Sequence, residues 1–226
     1  MESPDLKAGF GIHWRKYVAI IFDFDGVIGQ TMDDNYRAWK RVFSDHGLSL
    51  DKEEYMLLEG LSPKGVAEAI LRKQGIGLEA VSDLAALKER YYLSDHVFSF
   101  YPDVEALIGA LRSEYRLGLV SGATCVRLRR TVSASFLEQF HVVITSDDVQ
   151  RPKPDPEPYR TACERLEIRP EQALAIENAP LGIEAAKMAG LDCVGICSTL
   201  DSRHLARADV CMDDISELWR AYTGRI

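Results

Sequence analysis

The chain has 226 residues, 46% of them apolar, enough to bury one large core or two smaller ones. A formal charge of −8 excludes the basic footprint that nucleic acid or an anionic membrane surface requires of a partner, while leaving room for a few local lysines to hold a phosphorylated small molecule. No apolar run approaches the roughly 18 to 20 residues of a membrane-spanning helix, and residues 1–16 carry acids, Gly and Pro where a secretory leader would be basic and then apolar, so the expectation is a cytoplasmic protein, monomer or homodimer.

Residues 17–22 form a short continuous run rich in β-branched and aromatic residues, which predicts a strand buried on both faces. From 30 to 101 no strand pattern occurs. Amphipathic helical stretches cover 31–46, 50–58, 63–74 and 79–98, with Gly47, Gly60, Gly75 and Gly77 as stops. Helical patterns at 104–114, 157–166 and 181–189 then alternate with apolar runs at 116–121, 141–145, 173–176, 193–197 and, more weakly, 209–212. Alternating strand and helix predicts an α/β protein with a parallel sheet covered on both sides. The interruption predicts two domains, a sheet domain from 1–29 and 102–226 and an all-helical one from 30–101, with a cleft between them.

In an open parallel sheet, ligands bind beyond the carboxyl ends of the strands, so the residues that follow each apolar run carry the information. The first run ends in Asp23 and Asp25, the second in Ser121 and Gly122, and the fourth in Glu177 and Asn178; Lys153 follows the third. Two carboxylates two residues apart repel each other unless something cationic lies near them. Gly26 then lets the chain turn so that both face one cavity. Other readings of the same residues are an Asp-Gly hairpin, a helix N-cap at Ser121 for a helix opening near Ala123, and a solvated surface lysine at Lys153. Cys125, Cys163, Cys193, Cys197 and Cys211 have no Cys-x-x-Cys spacing and no His at zinc-ligand distance, and read as reduced core residues; a catalytic thiol would lack a partner base.

The segment FDFDGVI at 22–28 resembles the first motif of the haloacid dehalogenase-like superfamily. Ser121 is similar to its second-motif Ser or Thr, Lys153 to its third-motif Lys, and ENAPLGIEAAKMAGL at 177–191 to its fourth motif. The helical insertion matches the cap of the phosphoglycolate phosphatase-like and β-phosphoglucomutase-like group, which implies a Rossmann-like core with an inserted helical cap. The resemblance implies that Asp23 is a phosphoryl-accepting nucleophile and Asp25 the acid and base, a residue the dehalogenases of the family lack. It further implies Mg2+ held by the Asp23 carboxylate, the Asp25 main-chain carbonyl and an oxygen of Glu177 or Asn178, directly or through water. Ser121, with backbone N–H groups near Gly122, would bind the phosphoryl oxygens, and Lys153 would keep Asp23 ionised.

Two positions depart from the family pattern. Asn178 stands where an Asp is common, predicting weaker magnesium binding than in an Asn178→Asp variant, and Gln30 replaces a common acid and is given no role. In the cap, Lys64 and Lys88 are candidates for the far end of an anionic substrate, with ordinary solvated lysines as the alternative. His13, His46, His96, His141 and His204 match no motif, and the aromatic residues Tyr91, Tyr92, Phe98, Phe100 and Tyr101 read as packing. The function expected is hydrolysis of a small phosphorylated metabolite. A sugar phosphomutase and a non-catalytic phosphate-binding protein are the rivals.

Overall fold

Ala19–Phe22 form β1 at the centre of a parallel sheet, in a computed structural model that describes residues 12–224. All four residues are buried. Ile20 and Phe22 belong to the apolar layer on one face of the sheet, Ala19 and Ile21 to the layer on the other, the period-two alternation of a pleated strand. The chain then leaves the sheet through α1 (Met32–Asp45), α2 (Lys52–Met56), α3 (Pro63–Lys73) and α4 (Val81–Asp95). These helices bury a separate cluster that includes Trp39, Val42, Phe43, Ile70 and Leu71. Burial of each such side chain contributes roughly 1.5–3 kcal/mol, so the cap has a core of its own. Side-chain caps set its boundaries: Asp51 accepts from Glu54 N–H, and Ser62, just before Pro63, accepts from Gly65 N–H.

The core resumes with α5 (Val104–Leu111), β2 (Arg116–Val120), α6 (Cys125–Thr131), α7 (Ala134–Leu137), β3 (Val142–Ile144), α8 (Glu157–Arg165), β4 (Ala173–Glu177), α9 (Pro180–Ala189), β5 (Asp192–Ile196), β6 (Val210–Met212) and α10 (Ile215–Thr223). The six strands of the described residues fall on the six runs expected, their ends differing by at most two residues: β4 is one residue longer, β5 is shifted by one, and the other four are shorter. All are parallel, in the order β3-β2-β1-β4-β5-β6, with residues of α5 and α10 in one apolar layer and residues of α8 and α9 in the other. The order reverses at β1, and its two neighbours diverge beyond their carboxyl ends to leave a crevice. Phe22 lies opposite both Leu119 and Ile176, so Asp23, Ser121 and Glu177 emerge along one edge of the sheet.

The two crossings between core and cap run side by side. Gly29 bridges Phe100, Gln30 N–H donates to the Ser99 carbonyl at 2.9 Å, and the Gln30 side-chain amide donates to the Phe100 carbonyl at 2.7 Å. Gln30, without an expected role, thus ties the hinge. The helix expected to reach 98 ends at Asp95, because the chain must become extended from His96 to enter this hinge, where Phe98 stacks on Phe24 at 6.0 Å. α6 is the helix expected to open near Ala123, starting at Cys125, whereas the short α7 and the terminal α10 had no counterpart in the sequence reading. All five cysteines are unpaired, and among the described residues no helix is long and apolar enough to cross a membrane. Residues 1–11 of the N-terminal segment read above lie outside the described residues.

Candidate active site

Asp23 extends the β1 ladder by one bond, its N–H donating to the Ile176 carbonyl at 2.9 Å, which fixes the carboxylate at the tip of the sheet. Lys153 reaches it from the loop between β3 and α8. Its ammonium donates to Asp23 Oδ1 at 2.6 Å, Glu177 Oε1 at 2.7 Å and the Val120 carbonyl at 3.2 Å, so three donors meet three acceptors at 2% exposure. That excludes a solvated surface lysine. Burial alone would lower the Lys153 pKa; Asp23 and then Glu177 outweigh it and hold it above the ordinary lysine value.

Both oxygens of Glu177 are already engaged. Oε1 also accepts from the Tyr159 hydroxyl at 2.8 Å, and Oε2 accepts from the N–H groups of Asn178 at 3.0 Å and Ala179 at 3.3 Å. The Glu177 carboxylate, expected at the metal directly or through water, thus accepts four hydrogen bonds and seats Lys153. Burial pushes the Asp23 carboxyl up to about 8; Lys153 opposes this, while Glu177 and Asp25 push with it. One ammonium facing this many carboxylates leaves the site short of positive charge.

Asn178 supplies the second feature of a cation site. Its side-chain N–H group donates to Thr199 Oγ1 at 3.0 Å, while its Oδ1 is buried and has no hydrogen-bond partner among the described residues. Gly26 makes room for it: at φ +86° only glycine is relaxed, and a Cβ there would lie 2.1 Å from Asn178 Nδ2. No cluster of three His, Cys, Asp or Glu side chains that could hold a metal occurs among the described residues. The donors present are a carboxylate and an unpaired amide oxygen, both hard oxygens, with the Asp25 main-chain carbonyl the third expected. This set fits magnesium, which needs few protein ligands and keeps several waters.

Asp25 lies at the centre of a second network that joins core and cap. Arg127, on α6, spans it: Nη2 donates to Oδ2 at 2.7 Å and Nη1 to Oδ1 at 3.1 Å, and Oδ1 also accepts from Thr31 Oγ1 at 2.5 Å and Asn35 Nδ2 at 3.1 Å. Burial raises the Asp25 pKa, but the guanidinium, Thr31 and Lys88 outweigh it and hold this carboxyl at about 2. From the cap, Lys88 donates to Asn35 Oδ1 at 2.6 Å and Glu89 Oε1 at 3.1 Å, and Glu89 lies 3.7 Å from Arg127 Nε. The Tyr92 ring underlies both cations, 5.1 Å from Lys88 and 5.0 Å from Arg127.

The sequence reading missed Arg127 and Glu59. Arg127 sits in a run with Arg129 and Arg130, and only the helix phase separates it from them. With Thr124 as N-cap, Arg127, Leu128 and Thr131 share the buried face. Glu59 leaves no such trace. It follows α2 on the cap loop, and its Oε1 is buried with no hydrogen-bond partner among the described residues.

The remaining expected residues divide. Ser121 Oγ accepts from Ala123 N–H at 3.1 Å, but Thr124 is the cap of α6, so the N-cap reading of Ser121 falls. Gly122 lines the cavity between core and cap, with Asp23, Asp25, Asn35, Trp39, Tyr55, Glu59, Lys88 and Arg127. Lys88 is buried there. Lys64 is exposed and borders a different cleft with Ser82 and Gln150, which corrects its placement at the substrate. Three histidines bond only to backbone: His46 to Val42, His96 to Tyr92 and His141 to Leu117.

The cavity has a volume of about 30 Å³, room for about two waters, so the cap is closed over the site.

Residues 20–196 match the family model described as haloacid dehalogenase-like hydrolase. The chain is 35% identical to validoxylamine A 7'-phosphate phosphatase of Streptomyces hygroscopicus subsp. limoneus over 92% of this chain and 99% of that protein. It is 28% identical to β-phosphoglucomutase of Bacillus subtilis over 92% and 97% of the two chains. Among solved structures, CbbY from Rhodobacter sphaeroides in complex with phosphate superposes with a TM-score of 0.78 at 28% identity, covering 92% of this chain and 99% of that one. With the carboxylates, lysine and amide converging at the sheet tips beneath a helical cap, the matched segment places the chain among the haloacid dehalogenase-like hydrolases.

Proposed function

We propose that this enzyme hydrolyses the phosphate monoester of a small carbohydrate-like metabolite through an aspartyl-phosphate on Asp23. The observation that carries the reading is the seating of Lys153 between Asp23 and Glu177, at 2.6 and 2.7 Å. A carboxylate fixed at the sheet tip by a buried ammonium is positioned for attack on phosphorus, and among the described residues it is the one side chain on that ammonium not also tied by Tyr159 and backbone N–H groups. Relatives named for phosphorylated substrates support the class: validoxylamine A 7'-phosphate, fructose 1-phosphate and phosphorylated carbohydrates.

In the first half, an Asp23 oxygen bonds to phosphorus as the ester oxygen leaves with a proton from Asp25. In the second half, Asp25 takes a proton from water as the water oxygen attacks phosphorus and releases Asp23 and inorganic phosphate. Ser121 and the backbone N–H groups near Gly122 hold the phosphoryl oxygens, and Lys153 offsets their charge. Asp23, the Asp25 carbonyl and Asn178 Oδ1 would hold magnesium, which when bound neutralises charge on the transferring group. Asp25 paired to Arg127 is an anion, ready as a base; to act first as an acid it must take up a proton from solvent water against the pull of the guanidinium. The unpaired cysteines suit a reducing compartment, and we place the enzyme in the cytoplasm.

The test is turnover of p-nitrophenyl phosphate with and without magnesium. Asp23→Asn should retain the fold and lose activity to below about a thousandth of the parent. Turnover that survives in Asp23→Asn means another nucleophile, and no turnover in the parent chain means a binding protein.

A further inference from the structure

The cap end of the active-site cavity has an unusual balance of charge. Its two cations are both occupied: Arg127 by Asp25 and Glu89, Lys88 by Asn35 and Glu89. Lys153 is likewise occupied by Asp23 and Glu177. Among the described residues that line the cavity, two charged groups keep a buried polar atom without a hydrogen-bond partner: Arg127 Nε, which still lies 3.7 Å from Glu89, and Glu59 Oε1; of the two, only Glu59 has no ion pair. Burial and then the charge of Asp25 push the Glu59 carboxyl up to about 8, against the pull of Lys88 and Arg127. A buried acceptor without a donor is destabilising, a penalty that a ligand supplying a donor removes.

With the phosphate at Asp23 and Gly122, the alcohol part of the ester faces Glu59, Trp39 and Tyr55 from the cap. We infer that Glu59 is the specificity-determining residue for this leaving group, selecting esters that present an uncharged hydrogen-bond donor or a basic amine to it and rejecting esters that carry a second anion. An ammonium pairs with the Glu59 carboxylate, and a hydroxyl bonds to it in either protonation state. A second phosphate or carboxylate would be buried beside Glu59 with every lining cation already in an ion pair, an uncompensated charge whether or not Glu59 is ionised. The inference rests on the phosphohydrolase reading and narrows it, because a phosphomutase must hold a bisphosphate with its second phosphate at this end.

Phenyl phosphates substituted at the 4-position with aminomethyl, hydroxymethyl or carboxylate groups test the inference on one scaffold, using the full chain with magnesium. The expected order of kcat/KM is aminomethyl, then hydroxymethyl, then carboxylate, with at least roughly tenfold between the ends. Glu59→Gln should compress the series to within about threefold, and Glu59→Lys should reverse it. A flat series in the parent chain, or the same series in Glu59→Gln, overturns the assignment. Failure to turn over any member, p-nitrophenyl phosphate included, counts instead against the phosphohydrolase reading.

Discussion

The Arg127 guanidinium grips the Asp25 carboxylate with two hydrogen bonds, 2.7 and 3.1 Å long, in a site where both side chains are at most one-tenth exposed. The pair joins α6 of the core to the first loop beyond β1, and through Asn35 and Glu89 it also joins core to cap. Removing one partner leaves the other buried and unpaired. Arg127→Met should therefore lose roughly 3–5 kcal/mol of stability in urea denaturation. In a double-mutant cycle with Asp25→Asn, the two losses should fall well short of additive, by about 1–3 kcal/mol. Additive losses would show that the pair contributes no coupling.

The same pair sets an acid limit on stability. Asp25 is held at about 2, below its value of roughly 3.9 in an unfolded chain. Its stabilising contribution is therefore complete above about pH 4 and disappears as the pH falls through about 2. The stability gap between the parent chain and Arg127→Met should narrow over that window, read as the difference in urea midpoints at pH 6, 4 and 2.5. A constant gap would mean that the arginine stabilises through packing and its other partners alone.

Most of what positions this site was legible in the sequence. Runs such as AIIF at 19–22 and ALAI at 173–176 are too short and too apolar for anything but central parallel strands, and the polar residues after them had to emerge at one edge. The partners were less legible. Lys153 and Glu177 were both singled out, yet nothing in their spacing tells that the acid is consumed by the lysine and by Tyr159, a contact made by α8 across the sheet end. Arg127 and Glu59 were missed for one reason: their importance comes from the docking of cap on core, which sequence periodicity within either part does not record. Lys64 and Lys88 were indistinguishable as residues of amphipathic helices, and only the direction in which each helix faces separates them.

Magnesium dependence should follow the two residues at the tip of β4 differently. Asn178 offers a buried oxygen without a partner, whereas Glu177 has none to spare. Asn178→Asp should lower the magnesium concentration for half-maximal activity by about tenfold, and Asn178→Ala should raise it by at least that much. Glu177→Gln should reduce kcat, because Lys153 loses an ionic partner, while shifting the magnesium requirement by less than about threefold. A large rise in magnesium requirement in Glu177→Gln would return that carboxylate to the metal site.

Closure of the cap depends on a glycine in the core. A Cβ on Gly122 would lie 2.9 Å from the Leu61 carbonyl oxygen and 3.2 Å from that of Gly60, both main-chain atoms of the cap loop that carries Glu59. Neither can turn aside as a side chain would, so Gly122→Ala must hold the cap away from the sheet tips. The backbone conformation itself tolerates alanine, since Gly122 is not among the positive-φ glycines. Urea stability should therefore change by less than about 1 kcal/mol, the core and cap interiors being untouched. Activity should respond much more: kcat/KM falls by at least about tenfold, because water enters the site and the donors near Gly122 shift from the phosphoryl oxygens. Gly26→Ala offers the contrast. That residue combines positive φ with a 2.1 Å approach to Asn178, so its substitution should lower stability, magnesium binding and activity together. Equal stability losses in the two variants would mean that the cap loop is rigidly part of the core and does not open to admit substrate.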